Sequence, residues 1–266
     1  MLGKLLKHEF RATGRIMWVL YAAMLALSLG SHFAMRYMDE PHSALILRIL
    51  ATLVTVLWVL ALMFGAVMTV VLMVQRFYKN FLTDEGYLMF TLPTGIPSMI
   101  FSKLIVSVVW VIVTILVMLL GVCLAVADSS LLQAAAGILR ECIRMASVKV
   151  TINVAAILLE IALVVIVGMA CSMLQFYAAM SLGYGFTGHK ALWSVVSYFV
   201  ISVVFQLIGG VMLVAMPGGM IRWFSSLEPM QGFHVTMCFA AAAELAAGAA
   251  LYAVTWLSLK KRLNLA

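Results

Sequence analysis

Six stretches of twenty or more residues hold at most one charged side chain each: Ile16 to Met35, Ile49 to Val74, Leu104 to Ala127, Val150 to Gln175, Ala191 to Met216 and Val235 to Leu259. At about 1.5 Å per helical residue, each is long enough to cross a hydrocarbon layer of about 30 Å. Each is apolar around its whole circumference rather than on alternate residues, which predicts helices and not barrel strands. The fold class that follows is an all-α membrane protein with six transmembrane helices. Composition agrees: of 266 residues 65% are apolar and 10% charged, too few charges to cover a water-soluble globule and too much apolar surface for a disordered chain.

Charge sets the expected orientation. With a cytoplasmic N-terminus, the inner segments hold Lys4, Lys7, Arg11, Arg15, Arg76, Lys79, Lys103, Lys190, Lys260, Lys261 and Arg262. The outer segments hold only Arg36, Arg48, Arg140, Arg144, Lys149 and Arg222. The positive-inside bias therefore places both termini in the cytoplasm. The net charge of +7 reads as anchoring to membrane lipids, with no nucleic-acid partner, because no soluble basic domain carries it. The first span is too long to be a removable signal peptide.

Residues 1–15, MLGKLLKHEFRATGR, place Lys4, Lys7, His8, Arg11 and Arg15 on one helical face and Leu2, Leu5, Leu6, Phe10 and Ala12 on the other. That pattern predicts an amphipathic interfacial helix ahead of a membrane domain of residues 16–266. Glu9 interrupts the apolar face, so it either snorkels to water or pairs with Arg76, Lys79 or Lys103. An outer segment, 128–149, has the spacing of a second amphipathic helix. Another, 217–233, is apolar but punctuated by Pro217, Gly218, Gly219, Pro229 and Gly232, the composition of a re-entrant loop.

The cytoplasmic segment 75–103 is the most informative. Thr83 or Asp84 is placed to cap a short helix with Glu85 in its first turn, running to Leu92 before Pro93, Gly95 and Pro97 stop it. Tyr87, Leu88, Met89 and Phe90 would give that helix an apolar surface outside the bilayer, the mark of a protein partner or, alternatively, of an interfacial helix resting on lipid.

The opening LLKHEFR, the stretch YKNFLTDEGYLMFTLP followed by SKL, the loop SLGYGFTGHK and the ending KKRLNL together resemble permease subunits of ABC type-2 exporters over the full length. The resemblance implies a six-helix permease that pairs with a second permease, identical or homologous, above two separate ATPase subunits. It makes residues 1–15 a connecting helix, with Lys7, Glu9 and Arg11 in it. It makes Asp84, Glu85, Tyr87, Leu88 and Phe90 part of the ATPase-coupling helix. The loop from Ala179 to Lys190, with Gly183, Tyr184, His189 and Lys190, becomes a second cytoplasmic contact. Cofactors are then none in this chain, ATP and Mg lying on the partner ATPase.

The residues themselves agree that the energy source is elsewhere. The nearest approach to a phosphate loop, Gly183 to Lys190, has His189 between Gly188 and Lys190, and Ala191 where Ser or Thr is needed. Five scattered histidines and four cysteines, Cys123, Cys142, Cys171 and Cys238, form no metal or redox spacing, and no catalytic motif is present. Glu160 and Glu244 lie inside spans, where carboxylates are costly. They are substrate or proton sites at similar depth, or structural groups pairing with Arg48 or bonding Gln206. The function expected is an ATP-driven exporter's permease in a bacterial plasma membrane, moving an amphipathic or hydrophobic cargo such as a peptide antibiotic, lipid or drug. The alternatives are an ion-coupled carrier using Glu160 and Glu244, and a non-transporting sensor subunit of an ABC complex.

Overall fold

The computed structural model describes residues 2–38, 44–83, 86, 95–126, 136–137, 140–141, 144, 154–186, 188–215 and 217–261. Of these residues 94% are helical and none lies in a strand. The helices are α1 (Leu2–Met38), α2 (Leu45–Leu82), α3 (Ile96–Ala125), α4 (Val154–Gly183), α5 (Lys190–Val214), α6 (Gly218–Ser226) and α7 (Pro229–Lys261). All but α6 are long and apolar enough to cross a membrane, so the chain is an all-α protein with six membrane-capable helices.

Several helices outrun the bilayer. With 37 and 38 residues, α1 and α2 reach about 55 Å at 1.5 Å per residue, well beyond a hydrocarbon core of about 30 Å. The reason is local: no proline interrupts either helix, and residues that leave the lipid keep good helical propensity. Residues 2–15 are thus the first turns of α1 rather than a separate interfacial helix, with Gly14 the only weak helix former near the expected break. Gly14 is instead a contact point, since a Cβ there would sit 3.7 Å from the Trp110 ring. In the same way, residues 75–82 extend α2 and residues 96–103 open α3. Pro97, expected to stop a preceding helix, sits in the first turn of α3, where its missing N–H costs no bond.

The segment 217–233, expected as an irregular re-entrant loop, is helical in two pieces. Pro217 precedes α6, and Pro229 starts α7, both positions that tolerate proline. Of segment 128–149, the described residues Ala136, Gly137, Arg140, Glu141 and Arg144 are helical, with Arg144 paired to Glu141 at 2.6 Å. Its expected apolar positions lie outside the described residues.

The helices form two compact units. One comprises residues 6–73 and 109–154, mainly α1, α2 and the second half of α3. Buried hydroxyl and indole groups tie these helices together. Trp110 Nε1 donates to Thr13 at 2.8 Å, and Trp58 Nε1 donates to Ser28 at 2.8 Å. Thr114 meets Tyr21 at 2.8 Å and Thr69 at 2.9 Å. Between lipid-exposed helices burial of apolar surface gives no net drive, so such bonds and close packing hold the bundle. Gly65 and Gly121 supply the closeness: Met24 fills the space beside Gly65, and Ser28 that beside Gly121.

The other unit comprises residues 1–5, 74–108 and 155–266. Its core is aromatic, with Phe77, Phe81 and Tyr177 fully buried. Phe77 stacks on Tyr177 at 4.1 Å, and the Tyr177 hydroxyl meets Ser107 at 2.6 Å. Lys103 is buried; its ammonium donates to Asn80 at 3.1 Å and lies 5.4 Å from the Phe81 ring centre. Outward, α5 presents Leu207, Val211 and their neighbours, and none of its most apolar window is buried, as expected of a helix facing lipid.

Candidate functional site

The turn between α4 and α5 is built by glycine. Helix α4 ends at Gly183, whose backbone lies directly against Ser194, leaving no room for a side chain. The chain then tightens, with Gly185 N–H donating to Leu182 and Phe186 N–H to Gly183. Gly188 takes φ +111°, a conformation open to glycine at little cost, and α5 starts two residues later. Gly183, Tyr184, His189 and Lys190 therefore do belong to one compact feature. Lys190's ammonium lies 5.8 Å from the Tyr184 ring centre, and Tyr184 packs on Tyr78 with centroids 5.4 Å apart. Burial pushes the Tyr184 phenol above its ordinary range, and the Tyr78 hydroxyl adds to the rise.

Next to this turn lies a cavity of about 510 Å³. Val74 and Tyr78 of α2, Phe176, Ala179 and Met180 of α4, Tyr184 of the turn, and Ala191, Ser194, Val195 and Tyr198 of α5 line it. Its surface is nearly all hydrocarbon and ring, and Ser194's hydroxyl is spent on the Lys190 carbonyl at 3.0 Å. Tyr198 is fixed by stacking on Phe176 at 4.8 Å, and one turn away Gln175 donates to Ser202 at 2.6 Å. The sequence reading named Tyr184 but missed Tyr78, Phe176 and Tyr198. The available signal was aromatic residues at matching ends of the second, fourth and fifth spans.

The intramembrane carboxylates part company. His234 Nδ1 lies 2.8 Å from both oxygens of Glu160, so Glu160 takes a histidine rather than Arg48 or Gln206. Glu244 lies against Gly168, where a Cβ would stand 3.1 Å from Oε1, and its buried Oε2 has no hydrogen-bond partner among the described residues. The two carboxylates are not at similar depth. Glu160 is level with His234 and Glu244 with Gly168, eight residues or about 12 Å further along α4. The sequence reading erred because α4 starts at Val154 and α7 at Pro229, which offsets the two helices against the apolar stretches used to count depth. Gln206 is exposed on α5, and Arg48 is exposed in the first turn of α2.

Of the other expected positions, Lys7 and Arg11 are exposed on α1 while Glu9 is only 7% exposed, so it does not snorkel to water. Asp84, Glu85, Tyr87, Leu88 and Phe90 lie outside the described residues, as does the rest of the expected coupling helix to Leu92 except Gly86, whose N–H donates to the Thr83 carbonyl at 2.8 Å. Thr83, a candidate cap for that helix, instead donates its hydroxyl back to the Lys79 carbonyl. No metal-holding group of His, Cys, Asp or Glu occurs among the described residues. No protein family, curated protein or solved structure matches this chain.

Proposed function

We propose that this chain is the membrane permease subunit of an ATP-driven exporter in a bacterial plasma membrane, moved by separate ATPase subunits and paired with a second permease. The order of the motifs along six spans, from LLKHEFR to KKRLNL, supports the reading. The observation that carries it is mechanical. The α4–α5 turn, which the resemblance assigns to ATPase contact, also forms one wall of the largely apolar cavity. A push on that turn is transmitted by Tyr184, Ala191 and Ser194 to the space where a hydrophobic or amphipathic cargo would sit, a short path. This chain contributes shape; the partner ATPase contributes ATP, Mg and hydrolysis.

The test is isolation of the tagged chain from its own membranes. An ATPase accompanies it, and Glu85→Arg or Tyr87→Ala abolishes transport while the protein remains folded. Normal transport by both variants defeats the coupling assignment. A second reading, an ion-coupled carrier, draws on the Oε2 of Glu244, buried and without a hydrogen-bond partner among the described residues. It predicts gradient-driven uptake by the chain alone, lost in Glu244→Gln.

A further inference from the structure

We propose that the α2–α4–α5 cavity is the seat of one acyl chain of an anionic membrane lipid, with its headgroup at Lys190. The walls give an occupant no free hydrogen-bonding group except at the phenol tips. Ser194 donates to the Lys190 carbonyl, and Tyr184 and Tyr78 pack ring against ring. A polar occupant would lose water contacts there and regain few, chiefly at the phenol tips, so the occupant is hydrocarbon. At about 510 Å³ the space is within the range of clefts that enclose a small ligand, about 300–1,000 Å³.

The rim decides the charge of the other end. Lys190 stands over the ring of Tyr184, itself a wall residue, and Ala191 beside it is another. Lys190 also opens α5, whose N-terminal end no side chain caps, so the positive end of the helix adds to the ammonium. The sequence from Ala179 to Phe199 contains no Asp or Glu to cancel it. An apolar slot ending in a cation, with no acidic residue in the stretch from Ala179 to Phe199, complements a molecule with a hydrocarbon tail and an anionic head, which membrane lipids supply in quantity. A tail gains little by leaving one hydrocarbon for another, so selectivity resides in the head: about fivefold for anionic over zwitterionic lipid, the effect of one basic side chain near a membrane surface. The inference does not depend on what drives the chain.

The experiment uses the full chain in nanodiscs containing phosphatidylglycerol or phosphatidylcholine with a photoactivatable group near the tail end, with adducts mapped by mass spectrometry. Adducts on Tyr78, Phe176 and Tyr198 are expected, about five times more frequent with phosphatidylglycerol. Lys190→Gln removes the preference and keeps the labelling. Ala179→Trp, or Val195→Phe on the more exposed side of the lining, removes cavity labelling while Leu207, on the outer face of α5, labels as before. Cavity labelling no greater than that of Leu207, equal labelling by both lipids, or preferential capture of a hydrophobic amine in place of lipid would each overturn the proposal.

Discussion

Thr114→Val is the sharpest perturbation of the helix packing, because it keeps the side chain's shape and removes only its hydroxyl. Thr114 is buried between α1 and α2, and its oxygen meets Tyr21 at 2.8 Å and Thr69 at 2.9 Å. Interhelical hydrogen bonds in membrane proteins average about 0.6 kcal/mol and reach about 1.7, so two such bonds set a range of about 1.2 to 3.4 kcal/mol. Both partners retain a carbonyl, Tyr21 that of Trp110 at 3.3 Å and Thr69 that of Gly65 at 2.8 Å. Neither is stranded, which holds the loss near the lower end, about 1–2 kcal/mol or a factor of about 5–30 in the unfolding constant. The assay is reversible unfolding in mixed micelles by a denaturing detergent, with Thr52→Val as control. Thr52 is exposed and donates to the Arg48 carbonyl of its own helix at 2.9 Å, its contact with α1 being a 3.6 Å approach to the weak acceptor Met38 Sδ, so its variant stays within about 0.5 kcal/mol of wild type. Equal losses in the two variants would refute the claim that the hydroxyl ladder staples α1, α2 and α3.

Three further outcomes follow from the second unit. A double-mutant cycle of Glu160→Gln and His234→Asn gives a coupling of no more than about 1 kcal/mol, because the pair is partly exposed; zero coupling in the same micelle assay would count against the pairing. Gly183→Ala forces its new methyl into the Ser194 backbone and costs about 1–3 kcal/mol as an overpacked site. Gly209→Ala, with nothing within 4 Å, gains up to about 1 kcal/mol of helix propensity, and equal effects would contradict the close approach of α4 and α5. Because the folded chain holds the Tyr184 proton more tightly than the unfolded chain, its contribution to stability is nil at neutral pH and turns unfavourable above the ordinary tyrosine range, near pH 10. Tyr184→Phe is therefore more resistant to alkaline unfolding than wild type, and an unchanged alkaline midpoint would contradict the raised phenol.

Six spans were legible in the sequence because twenty uninterrupted apolar residues are stable as a helix in lipid and in few other settings. Their ends were not. Apolar content marks where lipid stops, whereas a helix stops only where backbone chemistry changes, and Arg15 to Ile16 or Val74 to Gln75 offers no such change. That difference hid the register of Glu160 on His234 and made Glu244 look level with it. The α4–α5 turn was readable, since Gly183, Gly185 and Gly188 cluster where a span ends. The cavity beside it was not, because Tyr78, Phe176 and Tyr198 gain meaning only when three helices bring them together. Buried Glu9 was half legible, because a carboxylate on an apolar face must either reach water or find a cation, and burial removes the first choice; the burial of Lys103 was not, because nothing in its neighbours separates it from an interfacial lysine.

The most direct measurement is transport by the purified chain in sealed vesicles, with and without the ATPase that accompanies it from its own membranes. The proposed function predicts no flux under an imposed proton or sodium gradient, and ATP-dependent flux once the ATPase is bound. Gradient-driven uptake by the chain alone would contradict it.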